Sequence, residues 1–299
     1  MSDIKLFQMS NNKVIELEGK SVAVEKSLQL LIETHLESFL GITFLATEYS
    51  TGVKHSGRID TLGIDENNCP VIIEYKRSTN ENVINQGLYY LDWLLDHKAE
   101  FQLLVMKKKS RTSSENIEWD NARLICIAGD YTKYDTHAVE QINRNIEMIR
   151  YKKYQELLLL ELVNSVSAVK STTTQPGSGS KYKSVSEHLT MASQNVKDMF
   201  ELLKSYMIAL GDDVQFKPLY YYFAFKRIKN FVSVQIHPKS DYIMLYLKLD
   251  PKSVKLEKGF SRDVTDIGHQ GTGDLELSIK SLDDLERAKP LILKSYELS

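Results

Sequence analysis

Residues 171–180 read Ser-Thr-Thr-Thr-Gln-Pro-Gly-Ser-Gly-Ser, ten small or polar positions without a periodic apolar residue. Such a stretch has nothing to anchor in a core, so it reads as a flexible linker. The chain of 299 residues is therefore expected to fold as two domains, 1–168 and 185–299, joined over 169–184. Both lengths are ordinary for a domain.

In the first domain, Leu28, Leu31, Ile32, Leu36 and Phe39 fall on one stripe and predict an amphipathic helix over 22–39, with Gly41 as its stop. Strands are predicted over 42–49, 58–64 and 71–77, the last two joined as a hairpin by a short turn at 65–69. Ser78 and Glu81 form a capping box for a following helix, whose apolar stripe is Ile84, Leu88, Leu91 and Leu95. Segments 101–106 and 124–128 read as buried strands, 138–150 as a helix and 157–163 as a last strand. This order predicts an α/β domain, a mixed central sheet flanked by helices. The second domain reads as α+β. A helix over 185–210 is followed by strands at 220–225, 232–237 and 243–249, and a helix over 282–296 closes the chain.

The chemistry concentrates in the predicted hairpin. Asp60 is followed fourteen residues later by Glu74-Tyr75-Lys76, and ten residues beyond Lys76 by Gln86-x-x-x-Tyr90. Side chains alternate along a strand, so Glu74 and Lys76 share a face. If Ile64 pairs with Pro70, Asp60 lies opposite Glu74. Two carboxylates facing each other are unfavourable unless a cation lies between them, and an oxygen-only pair suits Mg²⁺ or Mn²⁺. Lys76 beside such a cation would orient an attacking water or offset charge on a phosphate. Gln86 and Tyr90, at i and i+4, share a helix face that borders the same cleft.

The arrangement resembles the PD-(D/E)XK nuclease superfamily. The Gln-x-x-x-Tyr is similar to the RecB-like branch, and the wider segment over 22–163 to NucS-type endonuclease domains. The resemblance implies a restriction-endonuclease-like fold and a metal-dependent endonuclease that hydrolyses phosphodiesters in DNA. It implies Asp60, Glu74 and the backbone carbonyl of Tyr75 as ligands of Mg²⁺ or Mn²⁺, Lys76 as the catalytic lysine, and Gln86 and Tyr90 as an auxiliary pair. A further ligand from the first helix is implied; Glu25 is the candidate, with Glu33 and Glu37 as competitors. Ile59 stands where the superfamily name has proline. Cutting two strands with this fold usually needs two active sites, which a homodimer would supply; the sequence itself does not fix the oligomeric state. The alternative is a non-catalytic nucleic-acid-binding or interaction protein on the same fold. The second domain resembles a domain of unknown function found at the C-terminus of similar nuclease-like proteins.

A net charge of −2 encodes no global attraction to nucleic acid, so any basic surface must be local. Arg58 and the run Lys107-Lys108-Lys109 are the phosphate-contact candidates, each weighed against an ordinary surface role. His55 reads as a surface histidine. Tyr151-Lys152-Lys153-Tyr154 reads as a nucleic-acid surface or a solvated helix end, and the aromatics of 220–225 as base-stacking or core residues. Gly268 to Asp274 lacks a phosphate-loop pattern and reads as a turn. Cys69 and Cys126 are too few for a disulfide framework. With no apolar run near the roughly 20 residues of a membrane span and no secretory signal, the expected location is the cytoplasm.

Overall fold

The computed structural model describes residues 4–10, 13–20, 25–52, 56–76, 83–168 and 183–299. It divides into two compact units, Met1–Ser171 and Thr172–Ser299. Most of the segment read as a linker, 169–182, lies outside the described residues. Ser184, placed in that linker by the sequence, instead caps the first helix of the second unit by accepting from the Glu187 N–H at 3.3 Å.

The first unit opens on an unanticipated hairpin, β1 (Leu6–Ser10) and β2 (Lys13–Leu17). The predicted first helix is two helices, α1 (Glu25–Thr34) and α2 (Leu36–Leu40), interrupted at His35; its predicted start at 22 lies outside the described residues. Leu28, Ile32, Leu36 and Leu40 are buried. Gly41 closes α2 with φ 66°, the left-handed conformation that glycine adopts without strain.

Six strands form the central sheet in the order β3 (Ile42–Ser50), β4 (Arg58–Asp65), β5 (Pro70–Lys76), β6 (Arg123–Ala128), β7 (Asn145–Tyr154) and β8 (Leu157–Val166). The first three pair antiparallel, β5–β6–β7 pair parallel, and β8 returns antiparallel. The hairpin register is the expected one, Ile64 against Pro70. It is held by the Asp65 carboxylate, which accepts from the N–H of Asn67 at 2.8 Å and Cys69 at 2.9 Å.

Helix α3 (Val83–Asp96) packs on β5 and β6; its predicted cap at Ser78 and Glu81 lies outside the described residues. Its buried face is Val83, Ile84, Gly87, Tyr90, Leu91, Trp93 and Leu94. Leu88 and Leu95, expected on the stripe, are only partly buried. A Cβ at Gly87 would stand 2.4 Å from Leu124 Cδ1, so glycine permits this close approach of helix and sheet.

Two segments differ in type from the expectation. Residues 101–106 belong to helix α4 (Lys98–Lys108), not a strand: Phe101 and Val105, four apart, are buried, while Leu103 and Met106 are exposed. The short helix α5 (Arg111–Glu115) follows. Residues 138–150 are divided between the end of α6 (Lys133–Glu140) and the start of β7. β7 lies between β6 and β8 and is buried on both faces over most of its length, so its apolar positions carry no strand period. Tyr151 and Tyr154 are therefore core residues rather than a stacking surface or a helix end. The helix, three strands, helix, strand order does run through α1–α2, β3–β5, α3 and β6, with α4 and α5 inserted. The architecture is mixed α/β.

The second unit places α7 (Val185–Met191) and α8 (Gln194–Ile208), separated where Ser193 caps α8, beside an antiparallel sheet. Its strands are β9 (Gln215–Pro218), β10 (Phe223–Lys226), β11 (Asn230–His237), β12 (Tyr242–Leu247), β13 (Ser261–Asp263) and β14 (Leu275–Ile279), in the spatial order 13-14-12-11-10-9. Strands β9, β13 and β14 were not anticipated. Helix α9 (Leu282–Glu297) closes the chain. Tyr222, Phe223 and Phe225 are buried, so these aromatics fill a core. Residues 268–274 connect the neighbouring antiparallel strands β13 and β14. Among the described residues both cysteines are free and buried, and no helix is long and apolar enough to cross a membrane.

Candidate active site

The β4–β5 register sets Asp60 across from Glu74, one position beyond the Thr61–Ile73 pair. Each carboxylate is tied to the backbone of the facing strand. The Asp60 N–H donates to Glu74 Oε1 at 3.2 Å, and the Tyr75 N–H donates to Asp60 Oδ2 at 3.1 Å. Glu74 is 0 % exposed, and its Oε2 is buried without a hydrogen-bond partner. Burial, reinforced by the neighbouring Asp60, pushes the Glu74 carboxyl up to about 9. Burial also raises Asp60, against the opposing pull of the Tyr75 N–H.

Lys76 lies at the end of β5, mostly buried, with its Nζ 3.7 Å from Glu25 Oε1 at the start of α1. The first-helix candidate is thus brought to the site. Its competitors are not: Glu33 takes a 2.6 Å hydrogen bond from the Thr61 hydroxyl on the opposite sheet face, and Glu37 lies in the first turn of α2, its carbonyl accepting from the Gly41 N–H at 2.9 Å. The Tyr75 side chain points to that opposite face too, its hydroxyl 3.3 Å from Thr61 Oγ1.

Gln86 and Tyr90 also reach the site. Gln86 Nε2 donates to the Tyr90 hydroxyl at 3.3 Å, and that hydroxyl accepts from the Arg58 N–H at 3.2 Å. A Cβ at Gly57 would stand 2.6 Å from the Tyr90 ring, so the backbone before Arg58 is shaped to the phenol. Together Glu48, Ser50, Gly52, Ser56, Gly57, Arg58, Asp60, Gln86 and Tyr90 line an open cleft of about 480 Å³.

The lysine run is placed elsewhere. Lys107 and Lys108 sit in the last turn of α4, where they complement its carbonyl end. Lys109 Nζ lies 3.4 Å from Asn68 Oδ1 in the β4–β5 turn. That turn is five residues along β4 from Asp60, roughly 16 Å away at a strand's rise of ~3.3 Å per residue. His55 lies outside the described residues.

Among the charged residues that line the cleft, one escaped the sequence reading. Glu48 on β3 falls opposite Asp60 in the β3–β4 register, between the Thr47–Thr61 and Tyr49–Ile59 pairs. Glu48, Asp60 and Glu74 thus form one row across three strands. Glu48 has φ 48°, unusual for a side-chain-bearing residue. Its Oε1 accepts from Lys26 Nζ at 2.8 Å, and its Oε2 lies 3.5 Å from Arg58 Nη1. The Lys26 hydrogen bond holds the Glu48 carboxyl below the usual range. The only signal available was an acidic residue in a predicted strand, too common to single out.

The donor set fits a hard divalent cation. The bare Glu74 oxygen and the proximity of Asp60 are an electrostatic deficit that a cation would remove. Among the described residues no group of three or more His, Cys, Asp or Glu side chains gathers as a metal site. Asp60, Glu74 and the Tyr75 carbonyl would then supply part of the shell and water the rest, as is usual for Mg²⁺.

Comparison with known proteins gives a family model for the second unit and a relative along nearly the whole chain. Residues 185–299 match the model of a domain of unknown function (DUF5655). An uncharacterized protein of Haemophilus influenzae (strain ATCC 51907 / DSM 11121 / KW20 / Rd) is 27% identical over 306 residues, spanning 98% of this chain and 100% of the relative. No solved structure matches.

Proposed function

We propose that the protein is a divalent-metal-dependent endonuclease that hydrolyses phosphodiester bonds in nucleic acid, DNA being the first substrate to try. The observation that carries this reading is the buried, unpartnered Glu74 Oε2 beside Asp60. A fold without use for that pair would replace it, since a buried carboxylate lacking a partner costs several kcal/mol. Asp60, Glu74 and the Tyr75 carbonyl would hold the cation, which when bound would supply Lewis-acid activation of a water and of a phosphate oxygen.

The remaining roles belong to the chain's own side chains. Lys76, kept at the rim by Glu25, carries an ammonium to orient the attacking water and offset charge that gathers on the phosphate. The Tyr90 hydroxyl already accepts from Gln86 and Arg58, so its proton points away from both donors and is available to a phosphate oxygen.

A second reading, a nucleic-acid-binding protein that does not cut, is favoured by two details: Glu74 is inaccessible to solvent, and Lys76 is already engaged by Glu25. A cleavage panel separates the two. The purified full chain is incubated with single-stranded, duplex, flapped, branched and mismatched DNA, and with RNA, in Mn²⁺, Mg²⁺ or chelator. The nuclease reading expects cutting of at least one substrate with metal, lost in Glu74→Ala. Binding without cutting across the panel supports the second reading. Cutting that survives both Glu74→Ala and Lys76→Ala rules out this mechanism.

A further inference from the structure

We propose that Lys26 and Arg58 form the phosphate-binding lip of the cleft, and that Glu48 occupies them in place of a substrate phosphate. The inference rests on the phosphodiester reading and adds to it the groups that would hold the backbone of the substrate.

Lys26 comes from α1 and Arg58 from β4, yet both converge on one carboxylate at the edge of the cleft. Lys26 Nζ also donates to Gln29 Oε1 at 3.0 Å, and Gln29 in turn donates to the Asp60 carbonyl at 2.8 Å. The Lys26 ammonium is thereby tied to the strand that carries Asp60. The Arg58 backbone N–H is fixed by Tyr90, so its side chain leaves the strand from a defined point. An ammonium and a guanidinium focused on one anion form the arrangement that recognises phosphate, the guanidinium through its fork and the ammonium as a point charge.

The present occupant is easily displaced. The side chains of Lys26 and Arg58 are 59% and 69% exposed, and exposed ion pairs contribute little to stability. A backbone phosphodiester presents two non-bridging oxygens and one negative charge, the same pattern that the Glu48 carboxylate presents to the two cations. Glu48 is held in the left-handed backbone region, where a non-glycine residue is strained, and such residues gather at clamps and switches. The walls beside it, Ser50, Gly52, Ser56 and Gly57, are small, which leaves a path past Arg58 toward Asp60.

The test is equilibrium binding of fluorescent single-stranded and duplex DNA to the full-length protein in an Asp60→Asn background, which suppresses turnover. Salt is varied from 50 to 300 mM, and circular dichroism checks each variant's fold. Glu48→Gln keeps the shape and removes the charge that competes with phosphate; it is expected to tighten binding roughly 3- to 10-fold at low salt. Lys26→Ala and Arg58→Ala are expected to weaken binding and each to lower the salt slope by about 1. In either alanine background the gain from Glu48→Gln should shrink. Unchanged or weaker binding by Glu48→Gln, with the parent binding normally, overturns the proposal and leaves the nuclease reading intact. No binding by any protein, together with no cleavage by wild type, overturns both.

Discussion

Glu74→Gln is expected to raise the melting temperature of the metal-free protein at pH 8, and to change it far less at pH 5. A carboxyl pushed up to about 9 in the folded state, against an ordinary value of 4.5, contributes stability that is complete below pH 4.5 and is lost as pH rises through about 9. At pH 8 the chain must therefore take up a proton, or bury a bare charge, in order to fold. Each tenfold displacement of a proton equilibrium is worth about 1.4 kcal/mol. Relaxation and water penetration reduce the nominal sum, leaving an expected gain of about 2–4 kcal/mol. For a unit of 171 residues that amounts to roughly 5–15 °C. Glutamine fits because its amide can donate to the Asp60 carboxylate, the neighbour that a protonated Glu74 also meets. Thermal melts at the two pH values, repeated with Mn²⁺, check this. Cation binding should stabilise wild type and not the variant, so the gap at pH 8 should narrow. A variant that melts lower than wild type at both pH values would show that the ionised pair is not strained.

Lys76→Met is expected to cost cleavage about 10²–10³-fold, the range for removing one charge-stabilising donor. It should nevertheless keep the metal-induced rise in melting temperature, because Lys76 lies beside the carboxylates and is not one of them. Asp60→Asn should lose both. Single-turnover cleavage rates and melts on the same preparations separate the two roles. A Lys76→Met rate close to wild type would reduce Lys76 to a structural partner of Glu25, the contact it makes here at 3.7 Å.

These expectations draw on the part of the molecule that was most legible from sequence. A short turn between two strands leaves few registers, so the pairing of Ile64 with Pro70 could be set out from sequence as a condition, and the structure meets it, placing Asp60 against Glu74. The i, i+4 relation of Gln86 and Tyr90 also carried over, because it depends only on the helix existing. Glu48 was invisible for a physical reason. A register shift between Phe44 and Ala46 breaks the alternation of β3, and the left-handed backbone at Glu48 breaks it again. Period counting therefore could not pair Glu48 with Asp60. Residues 101–106 misled because an apolar run that short fits a strand or one helix face equally well. β7 misled because an interior strand buried on both faces loses its period of two. Lys107 to Lys109 show the complementary limit: charge clustering is plain in a sequence, whereas the end of the sheet it decorates is a property of the fold.

The central claim is that Asp60 and Glu74 are a cation site. It is tested most directly by anomalous diffraction from crystals of the full chain grown or soaked with Mn²⁺ near pH 8. The account predicts a peak within bonding distance of the Asp60 carboxylate, Glu74 Oε2 and the Tyr75 carbonyl, absent in Glu74→Gln. A well-diffracting crystal with Mn²⁺ in solution, no peak at this position, and Glu74 still buried against Asp60 would contradict it.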